Sequence, residues 1–141
     1  MAKIEKFEDL QAWQKARALV KEVYSITERP GFRRDFALRD QVRRSAISVS
    51  SNVAEGFARR TNKEFVQFLY IAHGSVAEVE AQSYAALDLG CIGQPEFDRL
   101  YALCYEISKM VMGLIKYLRS HSSPAGPANS STQKLMNAGT R

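Results

Sequence analysis

Along four separate stretches of this chain, apolar residues recur at alternating steps of four and three, and that spacing restricts the fold more than any other feature. In the first stretch, from about Asp9 to Glu28, the series is Ala12, Ala16, Leu19, Val23 and Ile26. In the second, from Asp35 to Glu55, Val42, Ala46, Val49 and Val53 share one face. The third, from Thr61 to Gly90, carries two adjacent seams. One is Phe65, Leu69, Ala72, Val76, Val79, Ser83, Ala86; the other is Phe68, Ile71, Ser75, Glu78, Gln82, Ala85, Leu89. The fourth, from Pro95 to Ser120, runs Leu100, Cys104, Ile107, Val111, Leu114, Leu118. A period near 3.5 puts each series on one stripe of an α-helix. No stretch sustains the period of two that a half-buried strand shows. Helices with such stripes bury them against one another at shallow crossing angles.

The punctuation between the stretches agrees. Asp9 stands where an N-cap would open the first helix. Arg29-Pro30-Gly31 ends it. Gly56 falls where a left-handed C-cap would close the second. Thr61-Asn62-Lys63-Glu64 fits a capping box, and Pro95 sits in the first turn of the fourth. Connections of roughly four to seven residues join antiparallel neighbours. The sequence therefore predicts an all-α, antiparallel up-down-up-down four-helix bundle over residues 1–120. From His121 the chain turns rich in Ser, Pro, Gly and Asn, too poor in apolar area to offset the entropy of ordering, so residues 121–141 are expected to form a disordered tail.

Charge is distributed unevenly. Residues 29–63 hold nine basic side chains, eight of them arginine, against three acids, while the rest of the chain is close to balanced. Arginine's planar five-donor head suits phosphates, and a focused cationic patch attracts polyanions. Arg39 and Arg43 stand i,i+4 on one side of the second helix; Arg59, Arg60 and Lys63 lie just beyond its end. These five are the candidate nucleic-acid-binding residues. Arg44 is set apart because Asp40 offers it an i,i+4 partner.

The second helix also carries Ser45, Ser48, Ser50, Ser51 and Asn52, residues poor in helix propensity that tertiary contacts must compensate. Arg44, Ser48, Ser51 and Glu55 form a polar strip along it, and the third helix answers with Ser75, Glu78 and Gln82. A buried cross-helix network of Arg44, Asn52, Glu55, Ser75 and Glu78 is expected, with Asn52 and Glu78 largely buried. Such networks specify register more than they add stability.

Enzymatic chemistry finds no footing. The chain has no Glu-x-x-His pair, no CxxC, no P-loop and no Gly-x-Gly-x-x-Gly, and His73 is the one histidine within a helix. No cofactor or metal is expected, and no enzyme activity. No apolar run approaches the ~18 residues of a membrane span. The first residues are charged without an apolar segment, so the expected location is cytoplasmic.

Three blocks carry a family resemblance: Phe7-Glu8-Asp9-Leu10-Gln11-Ala12-Trp13-Gln14-Lys15-Ala16, the run from Leu38 to Gly56, and the run from Phe65 to Gln82. Over roughly residues 4–119 the chain resembles the bacterial four-helix-bundle proteins encoded in intervening sequences of 23S ribosomal RNA genes. That family is similar to the accessory variability protein of diversity-generating retroelements. The resemblance implies a left-handed bundle, assembly as a homopentamer, and, from the relative, a basic barrel that binds nucleic acid; it carries over no catalytic residue. Two functions are then expected in competition. One is a basic oligomer that binds nucleic acid, RNA favoured, through phosphate contacts. The other is a protein-interaction scaffold whose arginines meet an acidic partner or a neighbouring subunit.

Overall fold

The structure, a computed structural model, describes residues 4–121. A 3-10 turn, Phe7–Asp9, leads into α1 (Gln11–Thr27). A single turn, α2 (Pro30–Arg33), precedes α3 (Phe36–Phe57), α4 (Asn62–Asp88) and α5 (Gln94–Ser120). Among the described residues there is no strand. The expected disordered tail falls on residues that lie, past His121, outside the described ones.

The four long helices form the expected bundle. α1 and α4 each pack on α3 and α5, so α1 and α4 are diagonal. Cross-helix pairs establish the alternating direction. Lys15 and Arg99 meet Glu106 and Glu22 between α1 and α5. Ser45 and Ser48 meet Gln82 and Ser75 between α3 and α4. Tyr70 and Tyr84 meet Arg119 and Phe97 between α4 and α5. One end of the bundle therefore gathers the end of α1, α2, the start of α3, the end of α4 and the start of α5. The other gathers the N-terminal segment, the α3–α4 turn and the end of α5.

Every member of the α1, α3 and α5 seams is buried, as is the first seam of α4. Ile4 and Leu10, also buried, close one end, where Phe7 stands edge-on to Trp13 at 5.0 Å. The second α4 seam behaves differently. Ser75 is buried, but Ile71 and Glu78 are exposed and Leu89 is 68% exposed. A helix with neighbours on two sides has no third helix to cover that stripe.

Several terminal assignments shift. Asp9 caps no long helix; its carboxylate accepts from the Glu5 and Lys6 amides and stabilises the 3-10 turn, and the Glu5 bond leads in holding its pKa below the ordinary value. α1 starts two residues later behind Leu10. Asp35 and Thr61 cap α3 and α4 as their side chains accept from Leu38 and Glu64 amides. Gly56 is not a C-cap but lies inside α3, where a Cβ would stand 2.7 Å from the Phe68 Cβ and 2.9 Å from the Phe65 Cδ1. It is glycine because α4 passes too close for a side chain. Left-handed geometry belongs to Gly90 instead (φ 76°). There the Cys91 amide returns to the Ala86 carbonyl at 2.8 Å and the Gly90 amide to Leu87 at 3.1 Å, a Schellman closure of α4.

Candidate nucleic-acid interface

α3 has 22 residues and so a length of about 33 Å at 1.5 Å per residue. The basic segment read from the sequence is therefore spread over both ends of the bundle, with Arg39 and Arg43 at one and Arg59, Arg60 and Lys63 at the other.

At the first end Arg29, Arg39 and Arg43 are engaged. The Arg43 side chain is 16% exposed. Its Nε donates to the Thr27 Oγ1 at 2.8 Å, its Nη2 to the Glu28 Oε1 at 2.7 Å, and its head lies 4.4 Å from the Tyr24 ring centre. The Arg43 hydrogen bond holds the Glu28 carboxyl below its ordinary pKa. Arg43 is thus a tie between α1 and α3. Arg39 is half-buried, bonded to Asp40 and to the Arg33 carbonyl and lying over Phe36. Arg29 pairs with Glu96. Arg33 and Arg34 are exposed.

At the opposite end, Arg59 pairs with Glu55 at 2.9 Å and covers the Phe68 ring. Arg60 and Lys63 are exposed there and have no acidic partner among the described residues. Two turns along α4 from Lys63, Tyr70 opens a groove of about 670 Å³ between α4 and α5. Met112, Gly113 and Ile115 line it, together with Lys116, Arg119 and Ser120; no acidic side chain does. The Arg119 Nη1 donates to the Tyr70 hydroxyl at 3.1 Å across the two helices. Lys116 and Arg119 have no ion-pair partner among the described residues. Sequence reasoning missed this cluster because residues 64–141 are balanced in total charge. The signal it left is the basic i,i+7,i+10 series Lys109, Lys116, Arg119 on α5.

The polar strip is real but narrower than expected. Ser48 and Ser75 share a hydrogen bond at 2.7 Å. Asn52, half-buried, donates to the Ser48 carbonyl at 2.8 Å and the Ser48 hydroxyl at 3.0 Å, so it reaches α4 through Ser48. Gln82 donates to Ser45 at 3.1 Å. Arg44, Glu55 and Glu78 do not belong. All three are exposed; Glu55 turns to Arg59, and Arg44 lacks its expected partner because Asp40 bonds Arg39. The stripe facing α4 runs through residues 45, 48 and 52, and the helical step carries 44 and 51 round toward solvent; Glu55, two turns on from Ser48, is instead drawn away by Arg59. Asn62, which no sequence pattern singles out, is buried and donates to the His121 carbonyl at 2.7 Å, tying the start of α4 to the end of α5.

Cys104 is buried, and desolvation pushes its thiol up to about 12; Cys91 is shifted in the same direction by the same cause. Among the described residues no group of three or more His, Cys, Asp or Glu side chains is placed to hold a metal ion, and no helix is long and apolar enough to cross a membrane.

A family model, 23S rRNA-intervening sequence protein, matches residues 8–113. The chain belongs to that family. The match spans most of the bundle, from the 3-10 turn to Gly113 in the second half of α5. The fold is also that of a solved Bacteroides thetaiotaomicron protein, described as of unknown function and from the S23 ribosomal protein family. The two superpose with a TM-score of 0.65 at 20% identity, over 75% of this chain and 95% of that one. No curated protein matches the chain. The intervening-sequence family model thus agrees with the resemblance carried by the three sequence blocks, and the solved structure agrees with the bundle.

Proposed function

We propose that this intervening-sequence protein is a non-enzymatic, cytoplasmic, oligomeric bundle that binds nucleic acid, RNA favoured, through phosphate contacts at the end holding the α3–α4 turn and the C-terminal half of α5. The observation that carries the reading is the gathering there of Arg60, Lys63, Lys116 and Arg119, all exposed and none with an acidic partner among the described residues. Cations left unpaired by their own fold are available to phosphates at little desolvation cost. Arg43 is not among them, and Arg39 and Arg59 contribute less because each already holds a carboxylate.

Self-association rests on a different face. On the outer side of α3 and α4, Ile47 and Ile71 are 40% and 51% exposed, and Arg44 and Glu78 lie exposed with no ion-pair partner among the described residues. A neighbouring copy would cover the apolar pair and match the opposite charges; a homopentamer is the assembly the family resemblance implies. The competing reading is a protein-interaction scaffold whose arginines meet an acidic partner or a neighbouring subunit, with the exposed Arg44 on this face available to either.

The test is fluorescence anisotropy with labelled single-stranded and duplex RNA and DNA at several salt concentrations. Reversing the charge of Arg60, Lys63, Lys116 or Arg119 to Glu should remove one phosphate neutralisation each. The log-affinity against log-salt slope should then flatten by about 0.7–0.9 per substitution, alike for unrelated sequences. Failure of the parent to bind more tightly than about 100 μM at physiological salt would transfer the function to the scaffold reading.

A further inference from the structure

We infer that the α4–α5 groove is a nucleotide subsite, in which a base stacks on Tyr70 and Met112 while its phosphate is met by Lys116 and Arg119. The inference deepens the nucleic-acid reading and rests on it for the source of the nucleotide. The groove's volume, about 670 Å³, is within the range of small-ligand sites. Its wall is an aromatic ring: Tyr70 is 43% exposed, and Met112 opposite is 39% exposed. The floor is the buried Ile115 and the bare backbone of Gly113, where a Cβ would meet nothing within 4 Å. The Tyr70 hydroxyl accepts one Arg119 N–H, which holds the ring and leaves the other guanidinium donors for an anion beside the ring's polar edge. Lys116, one turn back along α5 from Arg119 and also lining the groove, adds a second cation. An apolar slot with a flat aromatic face and two cations at one edge matches a nucleoside phosphate, which is flat and apolar at the base and anionic at the other end. A wholly apolar helix would leave both cations unused.

Two probes separate stacking from simple anion binding: adenosine monophosphate and ribose 5-phosphate. They share a phosphate and differ by the base. The full chain is labelled with methyl-¹³C methionine and titrated with each at 150 mM salt; the Met112 methyl reports on the groove and the half-buried Met110 serves as reference. The Met112 signal should shift saturably with the nucleotide, and ribose 5-phosphate should bind at least about fivefold more weakly. Gly113→Leu fills the slot at no cost in charge or helix propensity, and it should weaken nucleotide binding by about fivefold or more, as should Tyr70→Ala. Tyr70→Phe keeps the ring and should bind within about twofold of the parent. Equal response to the two probes, no Met112 shift up to roughly 10 mM nucleotide, or indifference to Gly113→Leu each overturns the inference. So does a parent with no nucleotide response together with an altered oligomer mass in Lys116→Glu, which makes the groove a contact between copies. Oligonucleotide binding with a normal salt slope but no Met112 response defeats the subsite alone. Nucleotide binding without oligonucleotide binding defeats the strand reading and leaves a site for free nucleotides.

Discussion

Replacing Gly56 with alanine should destabilise this bundle, although Gly→Ala inside a helix ordinarily stabilises. Freed from tertiary contact, the change would gain about 1 kcal/mol of helix propensity. Here the new methyl would stand 2.7 Å from the Phe68 Cβ, 2.9 Å from the Phe65 Cδ1 and 3.3 Å from the Phe65 carbonyl oxygen. Carbon atoms pack at about 3.5–4.0 Å, so the overlap approaches 1 Å. Two of the three atoms cannot swing aside, since one is a Cβ and one is backbone. Phe65 is itself fully buried, its ring edge-on to Phe57 at 6.0 Å. α3 and α4 must separate along their contact, an overpacking cost of about 2–3 kcal/mol. The net loss is about 1–2 kcal/mol, which lowers the urea midpoint with an unchanged slope when protein concentration is held fixed. Gly74 and Gly113 supply the controls. Both are in helix interiors, a Cβ on either would meet nothing within 4 Å, and alanine at each should raise stability by about 0.5–1 kcal/mol. A Gly56→Ala protein as stabilised as the two controls would refute the close-approach account.

Removing one hydroxyl of the Ser48–Ser75 pair should cost about 1 kcal/mol in urea melts, and removing both in a Ser48→Ala, Ser75→Ala double variant should cost less than the sum of the two single effects. Arg43→Met should lower stability by about 1–2 kcal/mol because its Thr27 and Glu28 bonds go, while the salt dependence of nucleic-acid binding stays as in the parent. Because Arg43 holds the Glu28 carboxyl below its ordinary value of 4.5, the pair stabilises the fold above that pH and its contribution fades as the pH falls through the lowered value; thermal melts of Glu28→Gln should fall less steeply in acid than those of the parent. In the folded protein at pH 8, a thiol reagent should leave Cys104 unmodified until denaturant is added, since burial pushes its thiol up to about 12.

Much of the architecture was legible from spacing because helical periodicity is a local property. Ala12 through Ile26 and Leu100 through Leu118 lie on one stripe whatever else the chain does, and burying those stripes leaves few arrangements for four helices with short connections. Termini were less legible. Gly56 and Gly90 are both glycines near a helix end, and only the approach of Phe65 and Phe68 tells the packing glycine from the left-handed one. The candidate site was legible in kind and misplaced in detail. An arginine-rich segment is visible in composition, yet which arginines remain free depends on partners remote in sequence: Glu28 is 15 positions from Arg43, and Glu96 is 67 from Arg29.

What the sequence determined by itself is therefore the four long helices and the main seam each must bury, since both follow from side chains repeating every 3.6 residues. What the tertiary structure decided is how charge and aromatic surface are apportioned. The rise of 1.5 Å per residue carries Arg39 and Arg59, neighbours in a count of charges, to opposite ends of the bundle. The antiparallel return of α5 along α4 brings Tyr70 and Arg119, separated by 49 positions, to 3.1 Å and creates a basic, aromatic groove that neither helix encodes alone.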